Sequence, residues 1–120
     1  MLVYIFKLLI LIWLFFLQNV YADIKIIDGD TIIFNEKKIR LFGIDAPETN
    51  QYCFDKKKIK YNCGLNSTKT LIQFIKKNRN KSIKCIHHGI DKYGRFISEC
   101  WTGEISINSW LVKNGFALAY

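Results

Sequence analysis

The sequence has little of what builds repetitive or extended proteins. Its 120 residues include one proline, seven glycines and no repeated segment, which excludes collagen-like, low-complexity and solenoid architectures. Acidic residues are also few, 10 against 18 lysines and arginines. The resulting net charge of +8 favours polyanionic partners. The chain also has only four alanines and many Ile, Lys and Asn residues, which indicates AT-rich codon usage as a second source of its lysines.

No apolar run in the sequence is as long as a transmembrane helix requires. Residues 8–17 (LLILIWLFFL) form a run of ten after Lys7, whereas a span needs roughly 20. Such a run is typical of a signal-peptide core, and Val20-Tyr21-Ala22 resembles a cleavage site. We predict a signal peptide over 1–22 and one exported domain over 23–120. An uncleaved anchor and a buried core helix are the alternatives.

All four cysteines lie in the predicted domain: Cys53, Cys63, Cys85 and Cys100. An even number in a small exported domain predicts disulfides. Residues 91–94 (DKYG) are a turn candidate between two β-type runs, and a hairpin about them places Cys85 opposite Cys100. Cys53 is then left to pair with Cys63. A zinc site is the alternative, but no Cys-x-x-Cys pair occurs and the two histidines are consecutive.

Five short strands and two helices are predicted after residue 23. The β-type runs are residues 24–27, 31–34, 39–44, 82–87 and 95–101. Apolar residues at three- and four-residue intervals predict an amphipathic helix over 65–78, and a second helix surrounds 107–113. Pro47 ends the third strand, and the polar residues 50–61 are predicted as a loop. The order β-β-β-α-β-β-α favours an α+β fold on a five-stranded, OB-type β-barrel.

Three polar clusters are candidates for chemistry. Residues 28–31 (DGDT) place two carboxylates around a glycine; Arg40 precedes Asp45 and Glu48 at a strand end; residues 91–95 (DKYGR) join two cations to an aromatic ring. Carboxylates suit a cation such as Ca²⁺, a guanidinium binds phosphate, and the third cluster suits a nucleotide. Each cluster also has a structural alternative: a tight turn, a surface ion pair and a solvated hairpin turn.

In this order, the three clusters resemble the staphylococcal nuclease family. The matching segments are residues 27–31, 39–41, 43–48, 91–95 and 107–120, so the resemblance covers essentially all of 24–120. Two departures stand out. The cysteines are absent from the best-known member, and the resemblance implies a third helix after the position of Tyr120, so we expect this domain to lack that helix. An inactive truncated fragment and a non-catalytic nucleic-acid-binding OB module are therefore kept as alternatives.

The resemblance implies an exported, Ca²⁺-dependent nuclease that hydrolyses phosphodiester bonds of DNA and RNA. It implies Ca²⁺ bound by Asp30, Asp45 and the backbone carbonyl of Ala46, with Asp28 next to these ligands but not bound to the metal itself. Such hydrolysis needs a Lewis acid, an activated water and cations at the developing charge.

The remaining roles that the resemblance implies concern proton transfer and substrate binding. The residues are Glu48 as the general base, Arg40 and Arg95 as stabilisers of the phosphoryl transition state, and Lys92, Tyr93 and Tyr120 as the nucleotide pocket. We expect a monomer in the periplasm or the medium, with no stable membrane partner after signal cleavage.

Overall fold

The computed structural model describes residues 1–16 and 23–120. The first helix, α1, spans Leu2–Phe16, and its large apolar side chains up to Leu14 are exposed. No helix among the described residues is long and apolar enough to cross a membrane. The predicted cleavage site at Val20-Tyr21-Ala22 lies outside the described residues, so the signal peptide stays a prediction.

Residues 23–120 form a small mixed structure of short strands and two helices. The strands are β1 (Ile24–Asp28), β2 (Thr31–Phe34), β3 (Lys37–Leu41), β4 (Ile44–Asp45), β5 (Cys53–Phe54), β6 (Lys60–Tyr61), β7 (Ile83–Ile90), β8 (Phe96–Thr102), β9 (Ile105–Ser106) and β10 (Leu118–Ala119); the helices are α2 (Cys63–Lys77) and α3 (Ile107–Lys113). Both predicted helices of the domain are therefore present, within two residues of their expected bounds.

The main sheet has the strand order β1-β2-β3-β8-β7, with β9 added on β8. The first three strands form an antiparallel meander, whereas β3 and β8 run parallel, with Arg40 opposite Ile97. The five predicted strands correspond to β1, β2, β3, β7 and β8. Because the last two strands exchange places relative to their chain order, the sheet has the Greek-key arrangement of an OB-type fold, which confirms the predicted fold class.

Two details of the predicted elements are wrong. The third strand does not run through residues 39–44, because the chain turns at Gly43 with a φ of +75°, a conformation that favours glycine. Ile44 then starts β4, which pairs with β10. Residues 50–61 are not a plain loop either, because β5 and β6 pair as a hairpin around Asp55, whose carboxylate accepts the N–H groups of Lys57 and Ile59.

Both predicted disulfides are confirmed, Cys53–Cys63 and Cys85–Cys100. The second joins directly opposed residues of β7 and β8, as the hairpin register predicted. That register shifts by one residue after His87, so the turn is longer than the predicted one. Within the described ranges, no group of three or more His, Cys, Asp or Glu side chains forms a metal cluster.

The core lies between the concave sheet and the two helices. Its fully buried apolar side chains are Ile32, Ile39, Leu41, Leu71, Ile107 and Leu111. Phe74 of α2 stacks on Trp110 of α3, with ring centroids 4.0 Å apart. Helix α3 begins after Ser106, whose Oγ accepts the N–H of Ser109 at 3.2 Å, an N-cap that stabilises the first turn.

Candidate active site

The turn between β1 and β2 buries a carboxylate. Asp28 Oδ1 accepts the N–H of Asp30 at 3.1 Å, which holds the turn tightly. A Cβ at Gly29 would overlap Ser67 Oγ and lie 2.8 Å from the Ala46 Cβ, so only glycine fits there. As a result Asp30 enters the interior and is only 5% exposed.

The buried Asp30 carboxylate contacts a distant segment of the chain. Its Oδ2 accepts the N–H of Ala46 at 2.7 Å and lies 3.3 Å from Arg40 Nη1, while Oδ1 accepts the Thr31 hydroxyl at 3.2 Å. Burial, followed by the adjacent Asp28 carboxyl, raises the pKa of Asp30 to about 6. Because Arg40 and Ala46 only partly compensate this charge, additional positive charge would stabilise the ionised form.

Arg40 lies at the centre of this cluster. Its Nη1 donates to the carbonyl oxygens of Ile44, at 2.8 Å, and Leu41, at 3.2 Å. Its Nη2 donates to Asp45 Oδ1 at 3.3 Å. Asp30 and Asp45 are therefore both 3.3 Å from one guanidinium, although the Asp45 side chain is 72% exposed. The arrangement includes the predicted ion pair with Asp45 and extends it into a network.

Glu48 is exposed and lies on the segment that follows Ala46 and Pro47. Its backbone is held by Gln51, whose Oε1 accepts the Glu48 N–H at 3.2 Å and whose N–H donates to the Glu48 carbonyl at 2.8 Å. A further bond joins the hydroxyls of Thr49 and Thr68 at 2.9 Å. The carboxylate at Glu48 therefore faces solvent from an anchored backbone.

The turn between β7 and β8 organises Arg95. Its Nε donates to Asp91 Oδ2 at 2.7 Å, while Asp91 Oδ1 accepts the N–H groups of Tyr93 and Arg95. Burial by itself raises the pKa of Asp91, but the hydrogen bonds from Arg95 and Tyr93 outweigh it and lower that pKa. The Tyr93 ring centroid lies 5.1 Å from Lys92 Nζ and 5.4 Å from the Arg95 guanidinium carbon. Three of the predicted substrate-contacting residues thus share one turn.

The sheet relates the two groups of residues. Arg40 is opposite Ile97 in the β3–β8 pair, and Ile97 is two residues after Arg95, so roughly 7 Å of strand separates the two arginines along the ladder. Tyr120 is 77% exposed and donates its N–H to the Gly43 carbonyl at 3.1 Å. Because Tyr120 directly follows β10, which pairs with β4, this bond places it at the β4–β10 side of the domain.

A cavity of about 380 Å³ lies beside Asp45 and Ala46. It is also lined by Gln51, Tyr61 and the Cys53–Cys63 disulfide. The β5–β6 hairpin, whose Tyr61 lines this cavity, carries the basic residues Lys56, Lys57, Lys58 and Lys60. A cavity with the Asp45 carboxylate in its wall, next to a basic hairpin, suits a polyanionic substrate.

Sequence reasoning missed two residues that shape this region. Gln51 lies in the predicted loop over 50–61 and has no predicted role, although its position three residues after Glu48 is a turn spacing. Ser67 lies in the predicted helix over 65–78 without a role of its own, yet it is 1% exposed and its Oγ donates to the Phe116 carbonyl at 2.6 Å. No sequence signal marks this contact, because it joins α2 to a segment 49 positions away.

Known proteins share sequence similarity with most of this chain. A family model described as staphylococcal nuclease homologue matches residues 38–120. The succinoglycan biosynthesis protein ExoI of Rhizobium meliloti (strain 1021) is 34% identical over 102 residues, covering 84% of this chain and 52% of that protein. The thermonuclease of Staphylococcus hyicus is 30% identical over 110 residues, covering 85% and 60%.

An uncharacterized endonuclease of Haemophilus influenzae (strain ATCC 51907 / DSM 11121 / KW20 / Rd) is 32% identical over 108 residues, covering 86% of this chain and 53% of that protein. The chain thus spans 52–60% of the length of these three relatives.

Proposed function

This chain belongs to the staphylococcal nuclease family, and we propose that it is a Ca²⁺-dependent nuclease that hydrolyses phosphodiester bonds in DNA and RNA. The observation that carries the proposal is the cluster around Arg40, which gathers Asp30, Asp45 and the Ala46 backbone in one place. Glu48 follows two residues later on an anchored loop, and Asp45 and Ala46 also line the neighbouring cavity.

The donor set fits a hard cation. Asp30, Asp45 and the carbonyl oxygen of Ala46 would hold Ca²⁺, which prefers oxygen ligands. The fit is supported by Asp30, because a buried carboxyl with a pKa raised to about 6 has an ionised form that a cation would stabilise. Bound there, Ca²⁺ would supply a Lewis acid for a phosphoryl oxygen.

The protein's own side chains would carry the proton transfer and the charge stabilisation. We assign to Glu48 the role of general base, which accepts a proton from the attacking water. Its exposed carboxylate faces the solvent from which that water comes. Arg40 and Arg95 would stabilise the negative charge that develops on the phosphoryl oxygens. The bond from Arg95 to Asp91 uses Nε, so both terminal nitrogens can donate to a phosphate.

Substrate binding is assigned to the DKYGR turn and its surroundings. Lys92 would contact phosphate and Tyr93 would stack on a base or sugar, since its ring is 72% exposed and aromatic stacking tolerates any base. Tyr120 would complete the pocket from the β4–β10 side. The net charge of +8 would make substrate binding weaken as salt rises.

We further propose that residues 1–22 are a signal peptide and that 23–120 are the exported domain. Two disulfides without a free cysteine among the described residues are typical of oxidising compartments. The protein would act as a monomer in the periplasm or the medium.

Digestion of single-stranded DNA by the oxidised full-length chain tests this function. We expect cleavage with Ca²⁺, none with chelator, and at least a 100-fold lower kcat in Glu48→Gln, since losing a general base typically costs 10²–10⁴-fold. Glu104→Gln, a change of the same type at an exposed turn, should cleave at the unaltered rate. Equal rates in Glu48→Gln and Glu104→Gln would refute the role of Glu48.

The two alternatives give different results in the same assay. A binding-only OB module would retain salt-dependent DNA binding in both Ca²⁺ and chelator without any cleavage. An inactive fragment would neither bind nor resist limited proteolysis in its oxidised form.

A further inference from the structure

Gln51 contacts both polar groups of the Glu48 backbone. The Glu48 N–H donates to Gln51 Oε1 at 3.2 Å, and the Gln51 N–H donates to the Glu48 carbonyl at 2.8 Å. Glu48 and Gln51 therefore close a four-residue turn in which Gln51 pairs with both the N–H and the carbonyl oxygen of Glu48. The direction in which the Glu48 side chain leaves the backbone depends on this turn.

Gln51 is itself attached to the start of α2. Its carbonyl accepts the N–H of Gly64 at 3.1 Å, and a Cβ at Gly64 would overlap the Glu48 carbonyl oxygen, so the two backbones are in direct contact. The Cys53–Cys63 disulfide joins the same two segments covalently. The hydrogen bond, the backbone contact and the disulfide thus fix the turn to the start of α2.

Glu48 needs this support because its side chain is exposed and has little packing to restrict it. A general base must lie within about 0.5 Å of its productive position, and misplacement by 1 Å can lower a rate by about 100-fold. For an exposed carboxylate, that precision has to come from the backbone. The other end of the segment is already held, because the Ala46 N–H donates to Asp30 at 2.7 Å.

We propose that Gln51 is a positioning residue for Glu48, with the Cys53–Cys63 disulfide as the anchor of the turn. The inference deepens the proposed nuclease function and rests on it. Gln51 does not act on the substrate in this proposal. Its amide oxygen orients the peptide that carries the base.

Steady-state kinetics of Gln51→Ala against Gln73→Ala test the proposal, because Gln73 is an exposed glutamine on α2 outside the site. We expect kcat to fall about 10-fold or more in Gln51→Ala, with KM, the Ca²⁺ dissociation constant and the melting temperature close to those of Gln73→Ala. A parallel fall in melting temperature and in Ca²⁺ affinity would mean a general structural role and would overturn the proposal, as would an unchanged kcat.

Gln51→Glu provides a rescue that a structural role does not predict. A carboxylate oxygen at this position still accepts the Glu48 N–H, so kcat should recover at high pH. A kcat no higher than that of Gln51→Ala would contradict the positioning role.

Amide hydrogen exchange separates this proposal from the proposed function. In Gln51→Ala the Glu48 amide loses its acceptor, so its exchange should accelerate at least 10-fold while the amides of α2 keep their protection. This measurement needs no enzymatic activity. A wild-type chain that cleaves no DNA would refute the nuclease function alone. Unchanged protection of the Glu48 amide in Gln51→Ala would refute the positioning of Glu48 by Gln51.

Discussion

The carboxylate of Asp30 accepts the backbone N–H of Ala46 at 2.7 Å, across 16 positions of the chain. This bond joins the β1–β2 turn to the segment that carries Glu48. The acidic cluster before β2 and the acidic cluster after β3 therefore form one region. Because Asp30 is only 5% exposed, the bond lies in an interior where its loss would leave the carboxylate with fewer partners.

The stability of the metal-free protein should fall with pH because of Asp30. Burial and Asp28 raise the pKa of Asp30 from 3.8 to about 6, so the folded state binds this proton more tightly than the unfolded chain. The contribution is fully favourable below about pH 4 and declines as the pH rises towards 6, by about 2–3 kcal/mol. In urea unfolding with chelator, the free energy of unfolding of Asp30→Asn relative to that of the wild type should rise by that amount between pH 4 and pH 7. A difference independent of pH would contradict the assigned burial.

Arg40→Lys should destabilise the protein more than an exposed change of the same type. A lysine keeps the charge but cannot donate at once to the Ile44 and Leu41 carbonyls and to both carboxylates. We expect a loss of about 2 kcal/mol in the free energy of unfolding, measured in urea with chelator. Arg79→Lys, at an exposed position, is the matched control and should change by less than about 0.5 kcal/mol. Equal effects would mean that the several hydrogen bonds of the Arg40 guanidinium contribute nothing beyond its positive charge.

Asp91→Ala should lower kcat through Arg95. Without the Asp91 carboxylate, Arg95 loses its bond at Nε and the turn loses the acceptor for two N–H groups. We expect about a 10-fold fall in kcat, as for other losses of orientation. Asp55→Ala removes a similar acceptor from the β5–β6 turn and should affect kcat less. If the two variants lowered kcat equally, the link from Asp91 to Arg95 would not matter for catalysis.

Gly64→Ala should be costly and Gly89→Ala should not. A Cβ at Gly64 overlaps the Glu48 carbonyl oxygen, whereas a Cβ at Gly89 has no atom within 4 Å. Displacing the start of α2 should lower the free energy of unfolding by about 1–3 kcal/mol, against less than about 0.5 kcal/mol at Gly89. Equal urea midpoints for the two variants would show that the close approach is relieved at no cost.

Much of the fold was predictable because its signals are local. The β7–β8 hairpin follows from two β-type runs around a turn, and it places Cys85 opposite Cys100. The shift of register after His87 was not predictable, because an added residue in a strand leaves no pattern in a short run. The break at Gly43 was missed for a related reason, since residues 39–44 alternate like one strand although the chain turns within them.

For the candidate site, the residue types were predictable and their contacts were not. Carboxylates beside a glycine and a guanidinium near a strand end indicate chemistry, but they do not say that Arg40 donates to two backbone carbonyls. Gln51 illustrates the same limit, because a glutamine in a polar segment has no distinguishing pattern. Its role depends on where the start of α2 lies.

The sequence by itself determined the two helices of the domain, the five strands of the main sheet apart from their exact ends, the pairing of the cysteines and the candidate chemistry, because alternation, turn residues and charge are local properties. Only the tertiary structure decided which distant groups meet. The parallel pairing of β3 with β8 brings Arg40 to the strand that follows Arg95, and β10 brings Tyr120 to Gly43. Such contacts depend on how the whole sheet closes over one core, a balance of burial and hydrogen bonding that no single segment contains.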